Sequence, residues 1–222
     1  MKTNRNILFI ILGLVLLLLS FLLNISLGSV HVTPGEIIQG LFTDSWEKTS
    51  TEQIIKNYRL PKAFIAIFAG IGLSISGLQM QTFFRNPLAG PFVLGISSGA
   101  GLGVAVLILA GSALGFSSSG PAVSSWATVL AGCLGSGIVL LFVSLVAWKV
   151  RDSMTLLIVG LMFGSAVSAI VSLLSYFSGA EALKLYAVWS MGSLGGLGWS
   201  QVGILGIVIL LGLLPVIFSI KS

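Results

Sequence analysis

The sequence predicts an all-α fold, a polytopic bundle of about six membrane-spanning helices with one short helix on the outer side. Two observations carry this. Of the 222 residues, 56% are hydrophobic and only 8% charged, with a mean hydropathy of +1.10, which excludes a water-soluble globular domain. The few charges also leave uncharged tracts long enough to cross a hydrocarbon core of roughly 30 Å at about 1.5 Å per helical residue. The net charge of +5 does not indicate nucleic acid, because the bases are scattered singly and never form a patch with interleaved aromatics. The lone cysteine, Cys133, lies among Ala131, Gly132 and Leu134; it can form no internal disulfide and reads as a small buried apolar residue.

The first element is the aliphatic run Ile7 to Leu23, preceded by Lys2 and Arg5. It is longer than the apolar part of a signal peptide and no A-x-A-like site follows, so a spanning helix is expected. Residues 28–59 form the only extended aqueous segment, with a solvated His31 and the charges Glu36, Asp44, Glu47, Lys48, Glu52 and Lys56. Within it, Thr33-Pro34-Gly35-Glu36 followed by Ile37, Ile38, Leu41 and Phe42 predicts a short amphipathic helix on the membrane surface.

The second crossing is the uncharged segment Ala63 to Phe84, led by the basic RLPK at 59–62 and stopped by Arg85-Asn86-Pro87. Its Ala66, Gly70 and Ser74 recur every fourth residue, which predicts close helix neighbours and a place inside the bundle. No charge occurs from Asn86 to Trp148, room for crossings near 92–110 and 124–148 around a Gly- and Ser-rich break at 111–121. The Gly99, Gly101 and Gly103 cluster lacks a nucleotide-binding context and reads as helix packing. After Lys149, Arg151 and Asp152, a fifth helix is expected over Ser153 to Ala180, with Gly160, Gly164, Ser168 and Ser172 in one stripe that is either a packing face or a pathway lining. Leu185 to Ile220 is too long for one crossing, so a short helix at 185–191, a glycine turn and a sixth crossing at 200–219 are predicted. Trp189 and Trp199 read as interfacial belt residues.

An even number of crossings puts both termini on one side. Lys2, Arg5, Arg85, Lys149, Arg151 and Lys221 share that side with one acid, Asp152, whereas acids and bases balance on the other. The positive-inside rule therefore predicts cytoplasmic termini, with 28–59 and 181–199 outside. No ionisable residue stands at the centre of a proposed helix, where each would cost roughly 2.5–3.5 kcal/mol. There is no HExxH, no nucleophile with a nearby histidine and no carboxylate pair. No catalytic residue, metal set or cofactor is expected, and the energy for any transport must come from another chain.

Four segments in order, RLPKAFIAIFAG (59–70), GLQMQTFFRNPLAGPFVLGISSGAGLG (77–103), LIVGLMFGSAVSAIVSLLSY (157–176) and LYAVWSMGSLGGLGWSQV (185–202), closely resemble the FecCD-type permease of type II ABC importers. The resemblance implies uptake of iron-siderophores, haem or cobalamin by a ten-helix permease that pairs with a second permease subunit. Its implied partners are cytoplasmic ATPases and an extracytoplasmic binding protein. It implies docking of acidic residues of that protein on Arg59 and Lys62, with membrane anchoring as the alternative role. It implies a cytoplasmic turn at Arg85, Asn86 and Pro87, and an external gate at Trp189, Met191, Gly192, Gly195 and Gly196 that could equally be a plain connector. In the family, the ATPase-docking loop and four more helices follow the point where this chain stops. The chain is thus expected to be one transmembrane permease domain over 1–222, incomplete at its carboxyl end and inactive alone; the competing reading is a truncated, non-transporting membrane scaffold.

Overall fold

The computed structural model describes residues 2–28, 30–43, 46, 48–111, 125–150, 152–194 and 196–220. Among them the elements are α1 (Lys2–Ser26), α2 (Pro34–Thr43), α3 (Thr49–Ile54), a π-turn (Ile55–Arg59), α4 (Leu60–Phe84), α5 (Ile96–Ile108), α6 (Ser125–Lys149), α7 (Ser153–Tyr176), α8 (Ala180–Ser190) and α9 (Trp199–Ile220). The described residues form an all-helical fold, and among them five segments are long and apolar enough to cross a membrane: Arg5–Ser26, Thr49–Phe84, Ser125–Lys149, Met154–Tyr176 and Trp199–Phe218.

The crossing expected near 92–110 is shorter than the sequence suggested. Its helix covers only the 13 residues Ile96–Ile108, about 20 Å at 1.5 Å per residue and less than the hydrocarbon thickness. Pro87, Gly90 and Pro91 keep the preceding stretch in successive turns, closed by Ala89 N–H to Asn86 O, Val93 N–H to Gly90 O and Gly95 N–H to Phe92 O. The break predicted at 111–121 falls almost wholly outside the described residues. The fifth helix ends four residues before Ala180, and α8 begins five residues before Leu185. Gly179 is extended, at φ −71° and ψ 157°, and Glu181 in the first turn of α8 suits a helix start.

The chain divides into two compact units, 1–71 with 194–222, and 72–193, so that α4 runs from the first into the second. In the first unit the core is Ile25, Val32, Ile37, Ile55, Leu60 and Ala63, with Phe21, Trp46 and Phe64 packed against it. Helix α2 starts as its sequence predicts. Thr33 is the cap, Pro34 takes the first helical position, and the Glu36 carboxylate accepts from Thr33 N–H (2.9 Å) and hydroxyl (3.0 Å). Helix α1 is aliphatic on all sides and none of its hydrophobic window is buried, as suits a helix surrounded by lipid.

The second unit has two clusters. One joins Phe84, Ala89, Leu94, Val139, Val143 and Leu156; the other joins Val104, Ala105, Ile108, Leu109 and Ala182. Helices α5 and α6 make the closest crossing. A methyl added at Gly99, Gly103 or Gly135 would overlap the facing backbone of Gly135, Ala131 or Gly99 respectively. Glycine is required there because the two backbones touch. Cys133 is exposed, contrary to the expectation of burial: α6 turns Gly132, Gly135, Val139 and Val143 inward, and one step past Gly132 rotates a side chain by about 100°.

Candidate functional site

The second unit contains a cavity of about 780 Å³ bounded by α5, α7 and α8. Its position follows from the stripe on α7, which divides between a packed end and a cavity wall. Gly160 lies against the backbone of Val93 and Leu94, and a methyl at Gly164 would come 3.3 Å from Ser98 Oγ, so this end of the stripe is packed. One and two turns further on, Ser168 and Ser172 line the cavity, each donating its hydroxyl to a carbonyl of its own helix, Gly164 O and Ser168 O, both at 2.9 Å. Serine back-bonds to the preceding turn in this way and keeps its oxygen free to accept.

Helix α8 forms the cavity's aromatic wall. Tyr186 and Trp189 stack at 6.1 Å and 27° and pack on the Val104, Ala105, Ile108, Leu109 and Ala182 cluster. Ser178 holds the corner between α7 and α8, with Oγ 2.6 Å from Leu174 O and 3.2 Å from Leu109 O. Burial raises the Tyr186 pKa above its usual 10.0, so its hydroxyl stays protonated. The remaining lining includes Phe92, Ser97, Ser98, Ser190 and Gly192 and carries no charged side chain. Such a space can contact a ligand through hydroxyl oxygens and ring faces, and it offers no ion pair.

Of the residues for which the resemblance implied a gate, Trp189 lines this cavity and Met191 is 84% exposed. Gly192 and Gly196 adopt φ of 78° and 80°, a conformation only glycine takes without strain, and Gly195 lies outside the described residues. At the other end of the second unit, Arg85, Asn86 and Pro87 form the turn after α4. Asn86 N–H reaches Gln81 O at 3.1 Å and Arg85 N–H reaches Thr82 O at 3.3 Å, a Schellman end in which Arg85, at φ 48°, takes the place usually held by glycine. The Asn86 side chain accepts from Leu88 N–H at 2.9 Å and fixes the next bend. Asp152 caps α7, accepting from the Thr155 hydroxyl (2.8 Å) and N–H (3.0 Å); the hydroxyl bond first, then the backbone N–H bonds of Thr155 and Met154, lower its pKa.

The basic pair at 59 and 62 separates. Lys62 is exposed on the first turn of α4, whereas Arg59 is 9% exposed and points into the first unit. Its guanidinium donates to Ile25 O (2.6 Å), Ser26 O (3.1 Å) and Val30 O, and Gly28 leaves room for it. This corrects the expectation of a rim charge. The last carbonyls of α1 are buried and need donors, and a fork of five N–H groups meets that need. The Ala66, Gly70 and Ser74 stripe of α4 is also not as expected: all three are exposed, and a methyl at Gly70 would meet nothing within 4 Å.

Two features escaped the sequence reading. Tyr186 was not singled out, although its spacing of three from Trp189 is the usual signal of a helical pair. The hydrogen bond from Trp199 Nε1 to Lys56 O (2.8 Å) was invisible because its partners lie 143 positions apart.

The profile of the FecCD transport family matches residues 16–222. Vitamin B12 import system permease proteins BtuC from two Escherichia coli strains are each 31% identical over 219 residues, covering 99% of this chain and 60% of their own length. A solved chain described as a metal-chelate type ABC transporter in an inward-facing conformation superposes with a TM-score of 0.71 at 27% identity, over 91% of this chain and 59% of that one. The chain thus spans about three fifths of the relatives it matches.

Proposed function

Because the chain belongs to the FecCD transport family, we propose that it supplies the amino-terminal helices of the permease of an ABC importer, working with further permease helices, a second permease subunit, separate ATPases and an extracytoplasmic binding protein. The observation that carries this reading is the uncharged, hydroxyl- and ring-lined cavity between α5, α7 and α8. A transmembrane pathway for a large polar solute needs space without fixed charge, and site chemistry for hydrolysis is supplied elsewhere. The uncovered Ala66, Gly70 and Ser74 stripe of α4 supports packing against further helices, since small residues gain nothing from lipid. The substrate in this proposal is a metal chelate, an iron-siderophore or a cobalamin. Lys62, exposed at the start of α4, is the basic residue left to meet an acidic binding protein on the outside, and both termini lie in the cytoplasm.

The test is ATP-driven uptake in proteoliposomes that hold this chain with cognate ATPase and binding protein, with and without a carboxyl-terminal family segment. Iron-siderophore and cobalamin are offered in parallel. Uptake of one chelate is expected only with the added segment, and Ser168→Trp, which projects an indole into the cavity, should reduce it. No uptake of either chelate under any condition would leave the scaffold reading in its place. Uptake without the segment would refute the division of labour.

A further inference from the structure

Pro61 sets the geometry at the head of α4. Proline has no N–H for the carbonyl four residues back, and its ring crowds that carbonyl. The chain widens instead: over Ile55–Arg59 it forms a π-turn in which Leu60 N–H bonds to Ile55 O. The next bond of that kind would run from residue 61 to Lys56 O, and proline cannot make it. Trp199 does, donating its indole N–H to Lys56 O at 2.8 Å. The indole ring lies 5.7 Å from Phe64, which in turn meets Phe21 edge-on at 5.8 Å.

Trp199 is also the first residue of α9, immediately after the glycine segment 192–198. The start of α9 is fixed a second time by Gln201, whose side-chain oxygen accepts from Gly198 N–H at 3.0 Å. Among its described residues the segment has two φ-positive glycines, Gly192 and Gly196, ahead of a capped terminus, and that terminus is hooked to the π-turn three residues before Arg59. We propose that Trp199 is a positioning residue: its indole N–H links the trailing end of the glycine segment to the π-turn at the head of α4, so that the segment's freedom depends on the state of the helix end that carries Lys62. The use of this link in gating rests on the permease reading above; the link itself does not.

Amide hydrogen exchange on the chain in nanodiscs separates the two. Trp199→Phe keeps a ring against Phe64 and removes only the donor. It is expected to raise exchange several-fold in 55–60 and in 192–198 while α7 is unchanged. Pro61→Ala, whose new N–H competes for Lys56 O, should loosen 192–198 in the same direction, and the double variant should be no looser than Trp199→Phe alone, because there the indole bond is already gone. Unchanged exchange in 192–198, strictly additive effects, or a loosening that includes α7 would each overturn the proposal. A third arm adds the cognate binding protein, which should slow exchange at 192–198 in the native sequence and not in Trp199→Phe. Slowing in both would show that the hook transmits nothing. If the binding protein fails to associate with the native chain, the permease reading fails while the first two arms still decide the hook.

Discussion

Gly135→Ala should destabilise this protein, and Gly137→Ala, two residues along the same helix, should not. At Gly135 the added methyl would stand 2.9 Å from Gly103 N and 3.0 Å from its Cα and would overlap the Gly99 carbonyl, whereas ordinary contact begins at 3.4 Å. Backbone cannot swing aside as a side chain can, so α5 and α6 must part by about 0.5–1 Å, which forfeits a quarter to a half of the dispersion energy of each atom pair across the seam. Overpacking of this kind costs about 1–3 kcal/mol. At Gly137 a methyl meets nothing within 4 Å, and the gain in helix propensity, up to about 1 kcal/mol, is all that remains. The two variants should therefore differ by roughly 2 kcal/mol, a factor of about 30 in the ratio of folded to unfolded protein. The assay is reversible unfolding in mixed detergent micelles of increasing denaturing fraction, followed by circular dichroism. Equal shifts for the two variants would mean that the seam is not held backbone to backbone, and the packing argument would fall.

Arg59→Ala should cost about 2–4 kcal/mol in the same assay, since three carbonyls lose a charged donor and buried acceptors left unmet cost about 1–3 kcal/mol each with partial relief from water. Arg59→Lys should restore only part of this, because one ammonium cannot span three carbonyls. Arg85→Gly should stabilise the fold by about 1 kcal/mol, the strain of a side chain in the left-handed conformation, and unchanged or lower stability would show that the Arg85 side chain holds the turn. Asp152 has its folded-state pKa lowered below its ordinary 3.8, so its contribution is complete above that value and lost as the pH falls through the folded pKa. Asp152→Asn should therefore flatten the acid limb of the stability profile and leave the neutral region little changed; an unaltered acid limb would contradict the cap.

What the sequence disclosed and what it hid follow from the range of the forces involved. The long apolar tracts, the Thr33 to Glu36 cap and the Asp152 stop are local, and each was readable within a few residues. The α7 stripe was readable as a stripe, but its division into packed glycines and cavity-lining serines depends on where residues 93–98 fall, which sequence does not specify. Arg59 misled for a related reason. A basic residue beside a membrane segment is ordinarily a surface charge, and only the proximity of the end of α1, about thirty residues earlier, supplies the buried carbonyls that draw it inward. The shortness of α5 is hard to see in the sequence because the uncharged tract from Asn86 to Trp148 suggests full crossings, while Pro87, Gly90 and Pro91 hold the start of that tract in turns.

The serine hydroxyls along the cavity have a kinetic consequence. Ser168, Ser172 and Ser190 have each committed their single proton to a carbonyl of their own helix, Gly164 O, Ser168 O and Ala187 O. At these three serines a solute meets acceptors and not donors; its own acceptors turn instead to the Ser97, Ser98 and Tyr186 hydroxyls that line the same space. With about 1 kcal/mol net for each hydrogen bond that is withheld, three withheld bonds shorten the residence of a bound molecule by roughly two orders of magnitude. The three serines would wet a bound molecule without gripping it.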